Sequence, residues 1–448
     1  MISFFYSKRR KNMKRFALVA LVAALLFSMV TSASATELKV RGNLDVYGMW
    51  STNLTDYNSD EGDADNYMTT QRMRAYFDYV ASENLKAVLG LEIDNVWGDN
   101  WDNVGADWGT DGKGNIEVKH AYMDFTLPDT QVNVKAGLQY VALPSVFGNP
   151  VFEDDAAALV VSAPINDMFG LAVGYSRGVD GSYNTADSKS KSLLYGKNKD
   201  DVDMAFIVAP VKLDGFSIAP YFAYGWLGKS TIADMDTAVA TDDASVWVLG
   251  ANAELTMFDP LTFAADLIYG QSDWEYDGEN VDSNGWYAAL AASYKMDMLT
   301  ATLFGTYFTG LDNDEDDLGM LPQLSEGWGL TPYIGGVRAF STTYDTFSGV
   351  DNACWAVGLQ LADISFVEKL SHNLTIAYAQ GTSDEYADTD VAFDKKSSAW
   401  EVYFVNKYMI YENLAAINEL GFFAPDFDGK DLEDDNSYFA TVGFQYKF

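Results

Sequence analysis

Apolar or aromatic residues occupy every second position back from Phe448: Tyr446, Phe444, Val442, Ala440 and Tyr438, with Lys447, Gln445, Gly443 and Thr441 between them. A strict period of two puts the two sets on opposite faces of one β-strand. A wide apolar face backed by a polar one suits a strand with lipid on one side and water on the other. Such a strand cannot stand alone in a bilayer. Its backbone donors and acceptors have no water to bond, so it belongs to a closed barrel.

The same alternation begins at Leu38. Leu38, Val40, Gly42, Leu44, Val46, Gly48 and Trp50 share one face, opposite Lys39, Arg41, Asn43 and Asp45, so the even residues of the first predicted strand face lipid. Beyond the acidic stretch NLTDYNSDEGDADNY, Met73, Ala75, Phe77, Tyr79 and Ala81 oppose Arg72, Arg74, Tyr76 and Asp78. The turn Ser82-Glu83-Asn84 then leads into Leu85, Ala87, Leu89, Leu91 and Ile93. Further tight turns are predicted near Pro128-Asp129-Thr130, Pro164-Ile165-Asn166, Lys212-Leu213-Asp214-Gly215, Phe258-Asp259-Pro260, Asp297-Met298 and Tyr411-Glu412-Asn413. They alternate with long polar loops predicted at 52–66, 95–114, 143–155, 178–200, 228–243, 273–284, 309–350, 381–397 and 424–435.

This pattern predicts an all-β protein, a transmembrane antiparallel β-barrel with short periplasmic turns and long extracellular loops. With both termini on the turn side, the loops imply about eighteen strands. Sixteen with a larger insertion is the alternative, because YIGGVRAF (333–340) reads either as a strand edge or as part of a folded loop, and the connection 363–374 is long for a turn.

At the other end, Lys8, Arg9, Arg10, Lys11, Lys14 and Arg15 precede the apolar run FALVALVAALLFSMV, and Ala33-Ser34-Ala35 follows it. Residues 1–35 thus read as a secretory signal peptide and 36–448 as a single barrel domain. Met13 offers a more economical start than Met1. Losing the six cations of that leader, which holds no acid, lowers 29 Lys and Arg to 23 against 65 Asp and Glu, and moves the formal charge from −36 to −42. Such a balance excludes nucleic acid as a partner. With 15% aromatics it signals structured strands joined by acidic loops rather than disorder. The single cysteine, Cys354, allows no internal disulfide.

In a barrel of this width the inward positions line a water channel unless a loop fills it. Lys39, Arg41, Arg72, Arg74, Lys86 and Lys135 have the polar parity of their strands and are candidate pore-lining cations. Cross-strand charge pairs that hold register are the competing reading of the same residues. The third loop, LPSVFGNPVFEDD (143–155), joins rigid Pro and Gly positions to bulky apolar anchors and then to Glu153, Asp154 and Asp155. Folded into the lumen, it would set acids against the basic wall, and two opposed charge rows across a gap order polar solutes and select ions. An ordinary surface loop is the alternative. Total charge favours cations and the wall cluster favours anions, with the balance at low salt falling to cations.

The terminal-Phe strand, the hairpin MRAYFDYVASENLKAVLGLEID and the run AYMDFTLPDTQVNVKAGLQYVALPSVFG make the whole mature chain resemble a trimeric outer-membrane porin, nearest the homotrimeric porins of sulfate-reducing and related bacteria. General porins carry a Pro-Glu-Phe-Gly element in loop three. Here Ser145-Val146 stands where the Glu would be, so the resemblance carries over to the loop and its later acids. It implies a homotrimer in the outer membrane of a Gram-negative bacterium, with loop three as the constriction. It also implies a second loop that latches onto a neighbouring subunit, here holding Trp97, Trp101 and Trp108.

Other chemistry finds little support. Only His120 and His372 are present, and no GxSxG, HExxH or CxxC occurs. The acidic run 312–317 opens like a calcium loop, but Asp317 replaces the turn glycine and Gln323 the bidentate Glu, so no metal or other cofactor is expected beyond loose Ca²⁺ binding by acidic loops. That binding would help the loops pack against lipopolysaccharide. Tyr76, Tyr122 and Trp247 are the candidates for a sugar-type aromatic lining. The expected function is that of a non-enzymatic general porin, passing ions and small hydrophilic solutes by passive diffusion. A channel selective for sugars or organic anions is the alternative, and a barrel enzyme or adhesin a distant third.

Overall fold

The structure, a computed structural model, describes residues 36–448 apart from 55–56, 60–64, 99–104, 107, 109–115, 181–200, 229–242, 277–278, 313–317, 341–349, 351–352, 385–392 and 428–432. The signal peptide therefore lies outside the described residues, as do Trp101 and most of the run 312–317.

The wall opens with β1 (Glu37–Thr52), β2 (Asp65–Ser82) and β3 (Leu85–Trp97), and a two-residue β4 (Gly105–Ala106) lies parallel beside the end of β3. β5 (Ile116–Thr126), β6 (Asn133–Ala142), β7 (Glu153–Pro164) and β8 (Gly170–Val179) follow. β9 (Val202–Val208) and β10 (Val211–Leu213) form one wall strand interrupted beside Pro210, both paired with β11 (Phe216–Leu227). Proline has no N–H to give to a ladder, which accounts for the break. Next come β12 (Ala244–Phe258), β13 (Leu261–Tyr276), β14 (Glu279–Lys295) and β15 (Thr300–Phe308). β16 (Cys354–Val367), β17 (Leu370–Gly381), β18 (Ser397–Tyr411), β19 (Leu414–Phe427) and β20 (Ser437–Lys447) complete the chain.

With β4 set aside and β9 joined to β10, the wall is a closed antiparallel barrel of eighteen strands. Sixteen is thereby ruled out. β20 closes onto β1 from Asn43↔Lys447 to Thr52↔Tyr438. Beyond that ladder, Gly42 N donates to Phe448 O (2.8 Å) and Phe448 N to Gly42 O (3.0 Å), so the terminal residue itself seals the seam.

Outward positions follow the predicted parity. Val40, Leu159, Val173, Leu249, Leu267, Leu290, Leu303, Val357 and Val442 are exposed in a belt around the barrel. Aromatics rim it on the loop side, with Trp50, Tyr67, Trp226, Trp286, Tyr307, Trp400 and Tyr438, and on the turn side with Phe258, Tyr294, Phe366, Tyr408 and Phe448. Two aromatic rims around an apolar belt are what a membrane requires of such a wall. Trp247 belongs to the outer rim, its ring 5.5 Å from that of Tyr269. It is not a lumen residue, because inward parity on β12 belongs to Val246 and Val248, both buried.

Two boundaries differ from expectation, and a third that the sequence left open is decided. The segment 273–284 is mostly paired strand, since β13 and β14 stay in register from Leu261↔Tyr294 to Tyr276↔Glu279. At about 3.3 Å per residue these strands reach beyond a ~30 Å hydrocarbon core even when tilted. Between β16 and β17 the turn is short, and the extra length is absorbed by register shifts at Leu361/Ile364 and Ile364/Val367. The stretch 333–340 is no strand but part of a segment folded into the barrel, with Tyr333, Ile334 and Phe340 buried.

Candidate functional site: a partitioned lumen

Among the described residues, two long segments fold against the inner wall. The first, 143–152, joins β6 to β7, and the expected loop ends there because the acids Glu153, Asp154 and Asp155 are the opening residues of β7. The second is the stretch 318–340 between β15 and β16. They lie against each other: Leu324 N and Ser325 N donate to Val151 O, Gly327 N to Asn149 O (3.0 Å) and Gly329 N to Phe147 O (3.0 Å). Gly148 (φ +78°) is required at the contact, since a Cβ there would lie 1.9 Å from Gly327 O.

Both segments are tied to the wall by carboxylates that are the lone acids on the inward faces of their strands. Asp266 of β13 accepts from Ser145 Oγ (2.8 Å), Val146 N (2.7 Å) and Asn252 Nδ2 (2.8 Å). Glu401 of β18 accepts from Thr331 Oγ1 and Tyr333 N. Glu419 of β19 accepts from Ala339 N (2.9 Å), Tyr403 OH (2.6 Å) and Thr441 Oγ1 (2.8 Å), and pairs with Arg338 at 2.9 Å. Several hydrogen bonds converging on one side chain fix its geometry, and the Glu419–Arg338 bond is in addition charge-assisted. A buried acid with full hydrogen bonding fixes a chain segment far better than apolar contact, which is non-directional.

Rings fill the space behind. Tyr333 stacks on Phe423 (4.6 Å, 9°), Phe340 on Tyr47 (4.6 Å, 14°), and Trp328 meets Phe308 edge-on at 4.9 Å. Asn149, fully buried, donates to Tyr221 OH of β11 and accepts from Val151 N and Phe152 N. The inward faces of β11–β15 and β18–β20 are therefore covered by a second layer. The charged inward row of β1, β2, β3 and β5, from Lys39 to Asp45 and from Arg72 to Asp78 on the first two strands, lies outside that layer.

The same side of the wall carries the predicted cations, each against a neighbouring acid or ring. Arg72 makes two bonds to Asp94 (2.7 and 2.6 Å) and its side chain is only 8% exposed. Arg74 pairs with Glu92, Lys86 with Asp124 (3.4 Å) and Arg41 with Asp78 (3.0 Å). Lys39 lies 3.5 Å from Glu37. Lys135 stands 6.0 Å over the Tyr122 ring and Arg41 4.5 Å over that of Tyr76. His120 sits between those two rings, and Gly90 makes the room, since a Cβ there would be 2.9 Å from both His120 and Tyr76. Arg41 (52% exposed) and Lys86 (41%) present charge to the passage, whereas Arg72 is a wall brace.

The three acids do not touch the six predicted cations. Glu153 accepts from Tyr140 OH and Asn149 N, Asp154 from Ser325 Oγ (2.6 Å), and Asp155 from Lys119 Nζ and His120 Nε2 (2.9 Å). Lys119 also lies 3.7 Å from Glu92 and so links the acids to the Arg72 and Arg74 row. Period-two reading misses Lys119 because a register shift between Gly90 and Leu91 inserts one residue into β5. Asp266, Glu401 and Glu419 were missed too, although a lone acid on an inward position of an apolar strand is a usable signal. Trp97 and Trp108 are exposed, and Trp97 Nε1 donates to Gln71. Among the described residues no group of His, Cys, Asp or Glu is arranged to hold a metal ion.

No family model matches the chain, and no curated protein matches it in sequence. Its shape does match solved outer-membrane barrels. It is similar to OpdQ of Pseudomonas aeruginosa (TM-score 0.53, 11% identity, over 92% of this chain and 99% of that one). OccAB1 of Acinetobacter baumannii gives a TM-score of 0.53 at 10% identity over 93% and 99% of the chains. The outer membrane protein OprD of P. aeruginosa gives 0.50 at 13% over 93% and 96%. The chain thus has the fold of an eighteen-strand outer-membrane β-barrel.

Proposed function

We propose that this protein is a passive, solute-selective channel of the Gram-negative outer membrane rather than a general porin. One observation carries the reading: two inner segments, locked by Asp266, Glu401 and Glu419, cover much of the wall and confine passage to the side lined by Arg41, Lys86, His120, Tyr76 and Tyr122. Arg41 and Lys86 stand further into the passage than their partners Asp78 and Asp124, so the charge a solute meets beside the rings is cationic, which favours small organic anions over neutral sugars. The outer-membrane fold of its structural neighbours supports the setting.

The test is salt current through the purified protein in a planar bilayer. Organic anions added at millimolar level should interrupt the current while sugars leave it unchanged. Free passage of both without interruption would return the protein to the general porins. Closure in threes would support the trimer that the resemblance implies.

A further inference from the structure

Three polar side chains stand together on the lipid-facing side of the wall. His372 of β17 pairs in register with Asn406 of β18, and Asn406 with Asn418 of β19. Residues paired across a ladder share a face, and the chain neighbours Val405, Ile417 and Glu419 are buried inside, so all three point outward. The outward Phe404 ring stacks on that of His372 at 5.7 Å and 8°.

Their depth follows from the turns. Tyr408, the next outward residue of β18 towards its turn, is exposed in the turn-side aromatic rim. Two residues of strand span about 7 Å, and a tilt near 40° leaves about 5 Å of depth, so Asn406 lies just inside that rim, where glycerol esters give way to tails. His372 is the third residue of β17, whereas Asn406 lies five residues before the end of β18. Counted from the turns, the imidazole is nearer the periplasm and the amides are deeper.

The three form a chain of hydrogen bonds. Asn418 Nδ2 donates to Thr441 O (2.7 Å), Asn406 Nδ2 to Asn418 Oδ1 (2.9 Å), and Asn406 Oδ1 lies 2.6 Å from His372 Nδ1. A carbonyl oxygen only accepts, so the proton is on His372 Nδ1 and the neutral ring leaves Nε2 as an acceptor. That atom has no hydrogen-bond partner among the described residues, and Asn406 keeps a second N–H. Uncovered polar atoms in hydrocarbon are costly.

We propose that this ladder holds one phospholipid of the periplasmic leaflet, with an ethanolamine headgroup. The two open groups call for different partners at different depths. The second N–H of Asn406 needs an acceptor at the level of the esters, which a glycerol ester carbonyl supplies. His372 Nε2 needs a donor nearer the water, and the ammonium of an ethanolamine headgroup carries three N–H bonds. Headgroup outside and ester inside is the order in which the ladder presents its imidazole and its amide. A choline headgroup has no N–H and leaves the imidazole unanswered. Water reaching Nε2 would satisfy the ring without any preference between headgroups, and that preference is what separates the two. The inference holds whatever solute the lumen selects.

The experiment is native mass spectrometry of the full mature protein, stripped of lipid in detergent and then given ethanolamine, choline and glycerol phospholipids of the same chains at equal concentration. Wild type should retain one ethanolamine lipid per barrel, preferred over the choline lipid by at least about threefold. His372→Leu should abolish that preference, and Asn406→Val should lower retention of both lipids. Leu303→Val, on a distant part of the belt, should behave as wild type, and single-barrel conductance should be the same in all four proteins. Equal retention of the ethanolamine and choline lipids by wild type, a preference that survives His372→Leu, or loss of lipid with Leu303→Val would each overturn the proposal. So would the glycerol lipid retained ahead of the ethanolamine one, or a second barrel in place of the lipid.

Discussion

The interior of this barrel has two unlike halves. Along the turn-side part of β1 and along β2, β3 and β5 many inward residues are charged and answer one another across strands, as Arg72 does Asp94 and Lys86 does Asp124. Along β11–β15 and β18–β20 they are Val248, Ile268, Tyr287, Phe304 and Phe423, all buried under the two inner segments. The first half faces water and the second is a hydrophobic core inside a membrane protein. An inward position on a barrel strand is therefore not by itself a pore position. What decides is whether a segment comes back to cover it.

The contrast can be broken most severely at Glu419. Glu419→Ala removes the carboxylate that pairs with Arg338, whose side chain is 2% exposed, and losing one partner of such a buried pair costs roughly 3–5 kcal/mol. The segment 318–340 should detach, giving larger single-channel conductance and unfolding at lower temperature. Asp266→Leu removes the acceptor of Val146 N and Asn252 Nδ2, leaving part-buried donors open at a cost of about 1–3 kcal/mol. Here the segment 143–152 should loosen, and protease cleavage within it would report that. Gly148→Ala attacks the seam between the two segments, where a side chain meets Gly327 O and the backbone needs a positive φ, and should cost about 1–3 kcal/mol of stability.

Changes on the charged half should leave the fold alone. Arg41→Ala and Lys86→Ala remove exposed pairs worth at most about 1 kcal/mol in stability. Their effect should be electrical, a reversal potential shifted toward cations in a salt gradient. The smallest change concerns the loop rim, where Asp435 accepts from Ser59 N (2.9 Å). Those bonds hold the Asp435 carboxyl below its ordinary value. The tie is therefore complete above the ordinary carboxylate pKa and lost as pH falls through the lowered one. Hydrogen exchange at Ser59 should be unchanged across neutral pH and rise only in acid.

The sequence disclosed the charged half far better than the covered one. On β1 to β3 one face is apolar and the other charged, so Leu38 to Trp50 and Met73 to Ala81 can be oriented without a structure. Strands such as AALAAS and LTFAADLIY are apolar or small on both faces, because one meets lipid and the other meets an inner segment. Period two fades when both sides are dry. The inner segment 318–340 left no periodic trace, since its backbone bonds go to Glu401, Glu419 and Val151 rather than to a ladder. Lys119 was hidden for a different reason, a single inserted residue that shifts parity.

The most direct measurement places one cysteine in each half and watches the current. In a Cys354→Ala background, Arg41→Cys and Val248→Cys put thiols at inward positions of the charged and covered halves, with Val248 1% exposed beneath the inner segments. A charged, water-soluble thiol reagent should lower the current through the Arg41→Cys channel in discrete steps and leave the Val248→Cys channel untouched. Equal block of both would mean that water and ions fill the whole lumen and that the partition does not exist.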